Sequence, residues 1–161
     1  GNCAACHSTA AFEDQKGNVF PPLFTDFTYD NLGIPTNLTV YELAGGAPPD
    51  MGLGGVVNLY TENGKFKVPT LRNAAKTAPY GHNGYFKSLW GIVHFYNTRD
   101  ILPRCPGDYT EAEALAANCW PAPEVTANVN TAELGNLGLT RTEEDAIVAF
   151  LQTLSDGYKK P

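Results

Sequence analysis

No apolar run in this chain approaches the ~20 residues that a membrane span requires, and nothing at its start reads as a signal peptide. The expectation is a soluble chain that has already been processed. Basic residues are also scarce, 11 lysines and arginines against 17 acidic residues, and they form no cluster. With a net charge of -6, a nucleic-acid surface is excluded, and the acidic balance is only a weak pointer to a basic partner. Internal repeats and low-complexity tracts are missing as well. What is present is ordinary for one globular domain with a core of its own, 43% hydrophobic and 17% charged residues. Sixteen glycines and 12 prolines require long loops between short helices, so the fold class is mainly α.

Cysteine occurs four times, in two pairs of different character. Cys3 and Cys6 lie in "GNCAACHSTA", where Cys3-x-x-Cys6-His7 is a complete signature for covalent attachment of one haem c. The two thiols add to the haem vinyl groups, and the adjoining imidazole of His7 is held beneath the iron as the proximal ligand. A redox dithiol needs no histidine after its second cysteine, and a zinc site needs further ligands at close spacing, which the chain does not offer. Cys105 and Cys119 are expected to form a disulfide, worth roughly 3 kcal/mol for a loop of this size. Two free buried thiols are the alternative. Both pairs fit an oxidising compartment, so the location read from them is periplasmic or otherwise extracytoplasmic, in a bacterium.

Along the chain, residues 12–55 read as a long loop of Pro, Gly, Asn and Asp punctuation suited to wrapping a large cofactor. Pro69 is expected to start a short helix near Thr70, and residues 77–84 to form a loop. Ser88 then caps "LWGIVHFYN", in which Leu89, Ile92, Val93 and Tyr96 make one stripe, so that Tyr96 faces inward and His94 outward. Thr110 with Glu113 forms a capping box for a helix ending near Asn118. A single turn is expected at residues 132–134. Thr140 with Glu143 opens the last helix, whose first turn carries Glu143, Glu144 and Asp145 and whose apolar face is Ala146, Ile147, Phe150, Leu151 and Leu154.

Four side chains compete for the other face of the iron: Met51, His82, His94 and Tyr96. Met51 would make a high-potential electron carrier, or it is a soft residue packed at the haem edge. His82 lies in the loop "YGHNG", beside the haem or simply bonded within the loop. His94 is on the exposed face. A buried tyrosine on an apolar stripe serves equally as core, and periodicity leaves Tyr96 between those roles.

The stretch "KVPTLRNAAKTAPYGHNGYFKSLWGIVHFYN", with CxxCH, "PPLFTDFTYDNLGIP" and "GLGG" before it, resembles the second, C-terminal haem domain of the di-haem cytochrome c peroxidase and MauG family. The resemblance runs from Cys3 to the last helix and implies a cytochrome c-like fold. It implies that the distal ligand lies fourteen residues beyond His82, at Tyr96, where peroxidases of the family usually carry Met and MauG-type enzymes Tyr. It further implies that His82 belongs to the haem surroundings, and that the carbonyls of Thr77 and Pro79 contribute to a calcium site. Arg72, by its charge, is placed to meet a haem propionate. The residues that form the first, peroxidatic haem domain of the family, and the helix that precedes CxxCH there, are not among these 161.

Two functions follow. The first is electron transfer by a haem closed on both faces by His7 and Tyr96, exchanging electrons with a redox partner protein or a second haem domain. The second is the C-terminal part of a di-haem peroxidase or MauG-like oxidoreductase acting on hydrogen peroxide, with His82 as a candidate acid or base.

Overall fold

The structure, a computed structural model, describes residues 2–157. Its helices are α1 (Leu38–Leu43), α2 (Leu53–Val57), α3 (Leu89–Thr98), α4 (Glu111–Ala117) and α5 (Arg141–Thr153), joined by loops and short 3-10 turns. Four two-residue strands pair antiparallel: β1 (Phe12–Glu13) with β2 (Val19–Phe20), and β3 (Tyr29–Asp30) with β4 (Phe66–Lys67). Among the described residues no helix is long and apolar enough to cross a membrane.

The three longest helices start where the sequence places their caps. Ser88 Oγ accepts from the Gly91 amide at 2.9 Å. Thr110 and Thr140 each complete a capping box with the glutamate three residues on, which satisfies two otherwise orphaned donors at each helix start. α3 packs along α5.

The core is aromatic. Ile34, Tyr85, Phe86, Phe95, Ala114 and Trp120 form one buried cluster, with Ile92 and Tyr96 packed at its edge. Phe86 and Phe95 are 0% exposed and Trp120 1%, so each contributes about 1.5–3 kcal/mol of hydrophobic stabilisation. The Cys105–Cys119 disulfide is formed, with Cα atoms 5.1 Å apart, and it delivers Trp120 to the cluster. There the indole Nε1 donates to Thr98 Oγ1 at 2.9 Å.

Several expectations are corrected. Residues 12–55 are not one continuous loop: they contain β1, β2, β3, α1 and the start of α2. These elements escaped notice because α1 and α2 are six and five residues long and neither has a side-chain cap. α2 is placed instead by backbone contact. Leu53 N donates to Lys65 O at 2.8 Å, and Gly52, at φ 56°, leaves no room for a Cβ against that same carbonyl. No helix starts at Thr70; the first helical turn after Pro69 is a 3-10 turn at Ala74–Lys76. Residues 132–134 form bends rather than a helical turn. On α5 the inward side chains are Leu151, Ile147 and Glu144, whereas Ala146 and Phe150 stay exposed. His94 does not face solvent: its ring lies between α3 and α5, because Glu144 is buried opposite it.

Candidate functional site

Cys3 sits in a 3-10 turn, Cys3–Ala5, which folds back so that the His7 amide donates to the Cys3 carbonyl at 2.8 Å. Both cysteines are free thiols, Cys3 exposed and Cys6 partly buried. His7 Nδ1 donates to the Phe24 carbonyl oxygen at 2.8 Å. That bond fixes the tautomer and leaves Nε2 with its lone pair free, the form an imidazole needs to ligate a metal. Phe24 itself is in the left-handed region, φ 55°, which turns its carbonyl toward the histidine.

Tyr96 lies on α3, packed at the edge of the aromatic cluster. Burial raises its phenol well above the ordinary tyrosine range; the nearby thiols of Cys3 and Cys6 push in the same direction, and the guanidinium of Arg99 opposes them. Cys3 and Cys6 thus lie in the electrostatic neighbourhood of Tyr96. Cys6 Sγ lies 3.5 Å from Asp30 Oδ2 and 3.7 Å from Glu133 Oε2. Burial first, then these two carboxylates, push the Cys6 thiol up to about 12. The donor set fits a covalently attached haem: two thiols in a CxxCH turn, an imidazole whose Nδ1 is held by a carbonyl, and a buried phenol in their electrostatic neighbourhood.

The other candidates lie elsewhere. Met51 is 36% exposed on the turn before α2. His82 stacks on Phe66, with ring centroids 3.8 Å apart, and its Nε2 donates to Glu124 Oε2 at 2.9 Å. Asn83 holds the same carboxylate oxygen at 2.8 Å. His94 donates from Nδ1 to Glu144 Oε1 at 2.9 Å and stacks on Trp90. Arg72 Nε donates to the Pro22 carbonyl at 3.1 Å, and its guanidinium lies 6.0 Å from the centroid of the Phe24 ring, next to the His7 anchor. Thr77 and Pro79 are on an exposed loop. Asp30, Glu133, Phe24 and Arg99 were not visible as site residues in the sequence: Glu133 and Phe24 lie in loops, Asp30 in a two-residue strand too short to show a period, and Arg99 at the end of α3, where its partners come from distant segments.

This geometry can be set beside known proteins. No family model matches the chain. It is 39% identical over 165 residues to the methylamine utilization protein MauG of Paracoccus denitrificans, an alignment covering 99% of this chain and 41% of that protein. It is 37% identical over 161 residues to the cytochrome-c peroxidase IdrP1 of a Pseudomonas strain, covering 95% of this chain and 36% of that one. The chain belongs to the family of MauG and the cytochrome-c peroxidases. The fold agrees: the diheme peroxidase BthA of Burkholderia thailandensis superposes with a TM-score of 0.66 at 28% identity, over 98% of this chain and 39% of that one. A MauG-like protein associated with microbial copper homeostasis shares the fold at a TM-score of 0.63 and 23% identity. The chain spans about two fifths of the length of these relatives. Haem c is the cofactor this family implies.

Proposed function

We propose that this chain is a haem-bearing part of a MauG-like or cytochrome-c peroxidase oxidoreductase that acts on hydrogen peroxide. Electron transfer alone, the first reading of the sequence, gives way to this second one because the relatives are MauG and cytochrome-c peroxidases. The observation that carries the proposal is the CxxCH anchor, with His7 Nδ1 tied to Phe24 O, together with the buried phenol of Tyr96 within electrostatic range of Cys3 and Cys6.

When bound, haem supplies one-electron chemistry at its iron. Cys3 and Cys6 would hold it covalently. His7 presents Nε2, and its bond to the Phe24 carbonyl makes that nitrogen a stronger donor. Tyr96 would supply the second protein ligand to the iron in this reading, and burial holds its phenol above the ordinary tyrosine range. His82, bonded to Glu124 and stacked on Phe66, is held by a complete set of partners, so its assignment to the haem surroundings rests on the resemblance and it is not proposed as an acid or base. Arg72 is assigned to a propionate, its guanidinium next to the His7 anchor. Calcium at Thr77 and Pro79 rests on the resemblance; two carbonyls are a minority of the six to eight oxygens the ion takes. The partner is a second haem domain or a redox protein, and the compartment is the periplasm.

Haem-loaded protein should give a ferric absorption and EPR spectrum with tyrosinate character, and Tyr96→Phe should change it. A spectrum identical in the variant rejects Tyr96 as ligand. Peroxide addition to the chain with and without its partner domain then separates carrier from enzyme: a spectral response to peroxide only in the complex supports a MauG-like division of labour.

A further inference from the structure

Arg99, the residue that ends α3, is 1% exposed. An arginine so deep must have every part of its fork occupied. Nε and Nη2 donate to the Asp100 carboxylate at 2.8 and 2.6 Å. Nη1 donates to the Leu32 carbonyl at 2.8 Å, and Nη2 donates to the Asn130 carbonyl at 2.8 Å and more weakly to the Leu134 carbonyl at 3.4 Å. One guanidinium thus ties two remote loop segments to the helix that carries Tyr96.

Those same two segments reach the attachment cysteine. Asp30, two residues before Leu32, and Glu133, one before Leu134, are the carboxylates beside Cys6. Asn130 links them, donating to Asp30 at 3.0 Å and to Glu133 at 2.6 Å. The second segment also returns to the helix directly: Gly135 N donates to the Tyr96 carbonyl at 2.6 Å, and Asp100 N to the Gly135 carbonyl at 2.8 Å. Gly135 has φ 99°, and a Cβ there would run into the Asp100 carboxylate and lie 2.9 Å from Arg99 Nη2. The joint admits no larger residue.

We propose that Arg99 is a positioning residue for the haem, setting the distance between Tyr96 and the Cys6 attachment edge by holding both Cys6-contacting segments on the last turn of α3. The inference rests on Tyr96 being the distal ligand. An apolar side chain would fill the space without charge burial, which is often no less stable. It would not bridge carbonyls of two segments, and neither would lysine, a point charge without a planar fork. The His7 side is anchored separately through Phe24.

The test uses haem-loaded protein with Arg99→Lys, Tyr96→Phe and Ala114→Gly, the last a buried α4 residue that lowers stability away from this joint. Arg99→Lys should lower the fraction of iron with the native ferric spectrum severalfold. It should also speed hydrogen exchange of the Gly135 and Asp100 amides about tenfold, as loss of a charge-assisted hydrogen bond does. Ala114→Gly should change neither. A native spectrum in Arg99→Lys, alongside an altered one in Tyr96→Phe, overturns the role of Arg99 and leaves the ligand standing. A native spectrum in Tyr96→Phe removes the ligand and the inference with it. If Arg99→Lys does not fold, Asp100→Asn, which keeps the shape of the fork's partner and removes its charge, is judged by the same two readouts.

Discussion

Replacing Glu144 by alanine should cost this protein about 3 kcal/mol, a large effect for a residue in the first turn of a helix. Glu144 is 2% exposed, and its Oε1 accepts from His94 Nδ1 at 2.9 Å and from Asn97 Nδ2 at 2.6 Å. Each such bond to a charged acceptor is worth about 1.5–3 kcal/mol, and alanine removes both at once. The lower end applies here, since the His94 side chain is 20% exposed and regains some water, and Asn97 keeps its bond to the Leu139 carbonyl. For a domain of this size each kcal/mol moves the midpoint by about 2–4 °C, so thermal unfolding should occur about 6–12 °C lower. Glu144→Gln, which keeps the shape and an acceptor for Asn97, should lose about half as much. Calorimetric unfolding of the variants, with His94→Ala to close a double-mutant cycle, measures the coupling directly. A midpoint within about 2 °C of the parent in Glu144→Ala would refute the view that this cluster locks α3 onto α5.

Removing the disulfide, as Cys105→Ser with Cys119→Ser, should lower stability by roughly 3 kcal/mol for a sequence separation of 14, measured by denaturant unfolding. The reason is chain entropy in the unfolded state, so a loss under about 1 kcal/mol would show that native packing around Trp120 holds the loop without the bridge. The carboxyls of Glu113 and Glu143 lie below their usual range because the backbone amides, and next the hydroxyls, of Thr110 and Thr140 donate to them. A lowered folded value means that the stabilisation is complete above the unfolded value near 4.5 and is lost as pH falls through the folded one. An acid titration of helix content should therefore be flatter below that pH in Glu113→Gln with Glu143→Gln; an unchanged profile would assign the acid sensitivity to other groups.

The local features of the chain were legible because their physics is local. Capping boxes need only a threonine and a glutamate three residues apart, and both were found where the sequence placed them. The attachment motif is contiguous, whereas the proposal of Tyr96 as a ligand rests on the family resemblance, which counts it from the loop histidine. His94 was misread because the helical wheel ranks a polar residue as outward, whereas a buried glutamate from a helix about fifty residues away gave it an acceptor. The short helices α1 and α2 have too few residues to display a period, and contacts from residues distant in sequence hold them.

The sequence by itself determined where the haem-attachment motif lies, where the three longest helices start, and which cysteines pair, since each depends on chemistry within a few residues or on a pairing the compartment favours. Only the tertiary structure decided what surrounds those groups. It brought the Phe24 carbonyl to His7, Asp30 and Glu133 to Cys6, and one buried guanidinium to the joint between them and Tyr96. Hydrogen-bond geometry across loops carries no sequence period, so a site assembled from loops becomes visible only once the chain is folded.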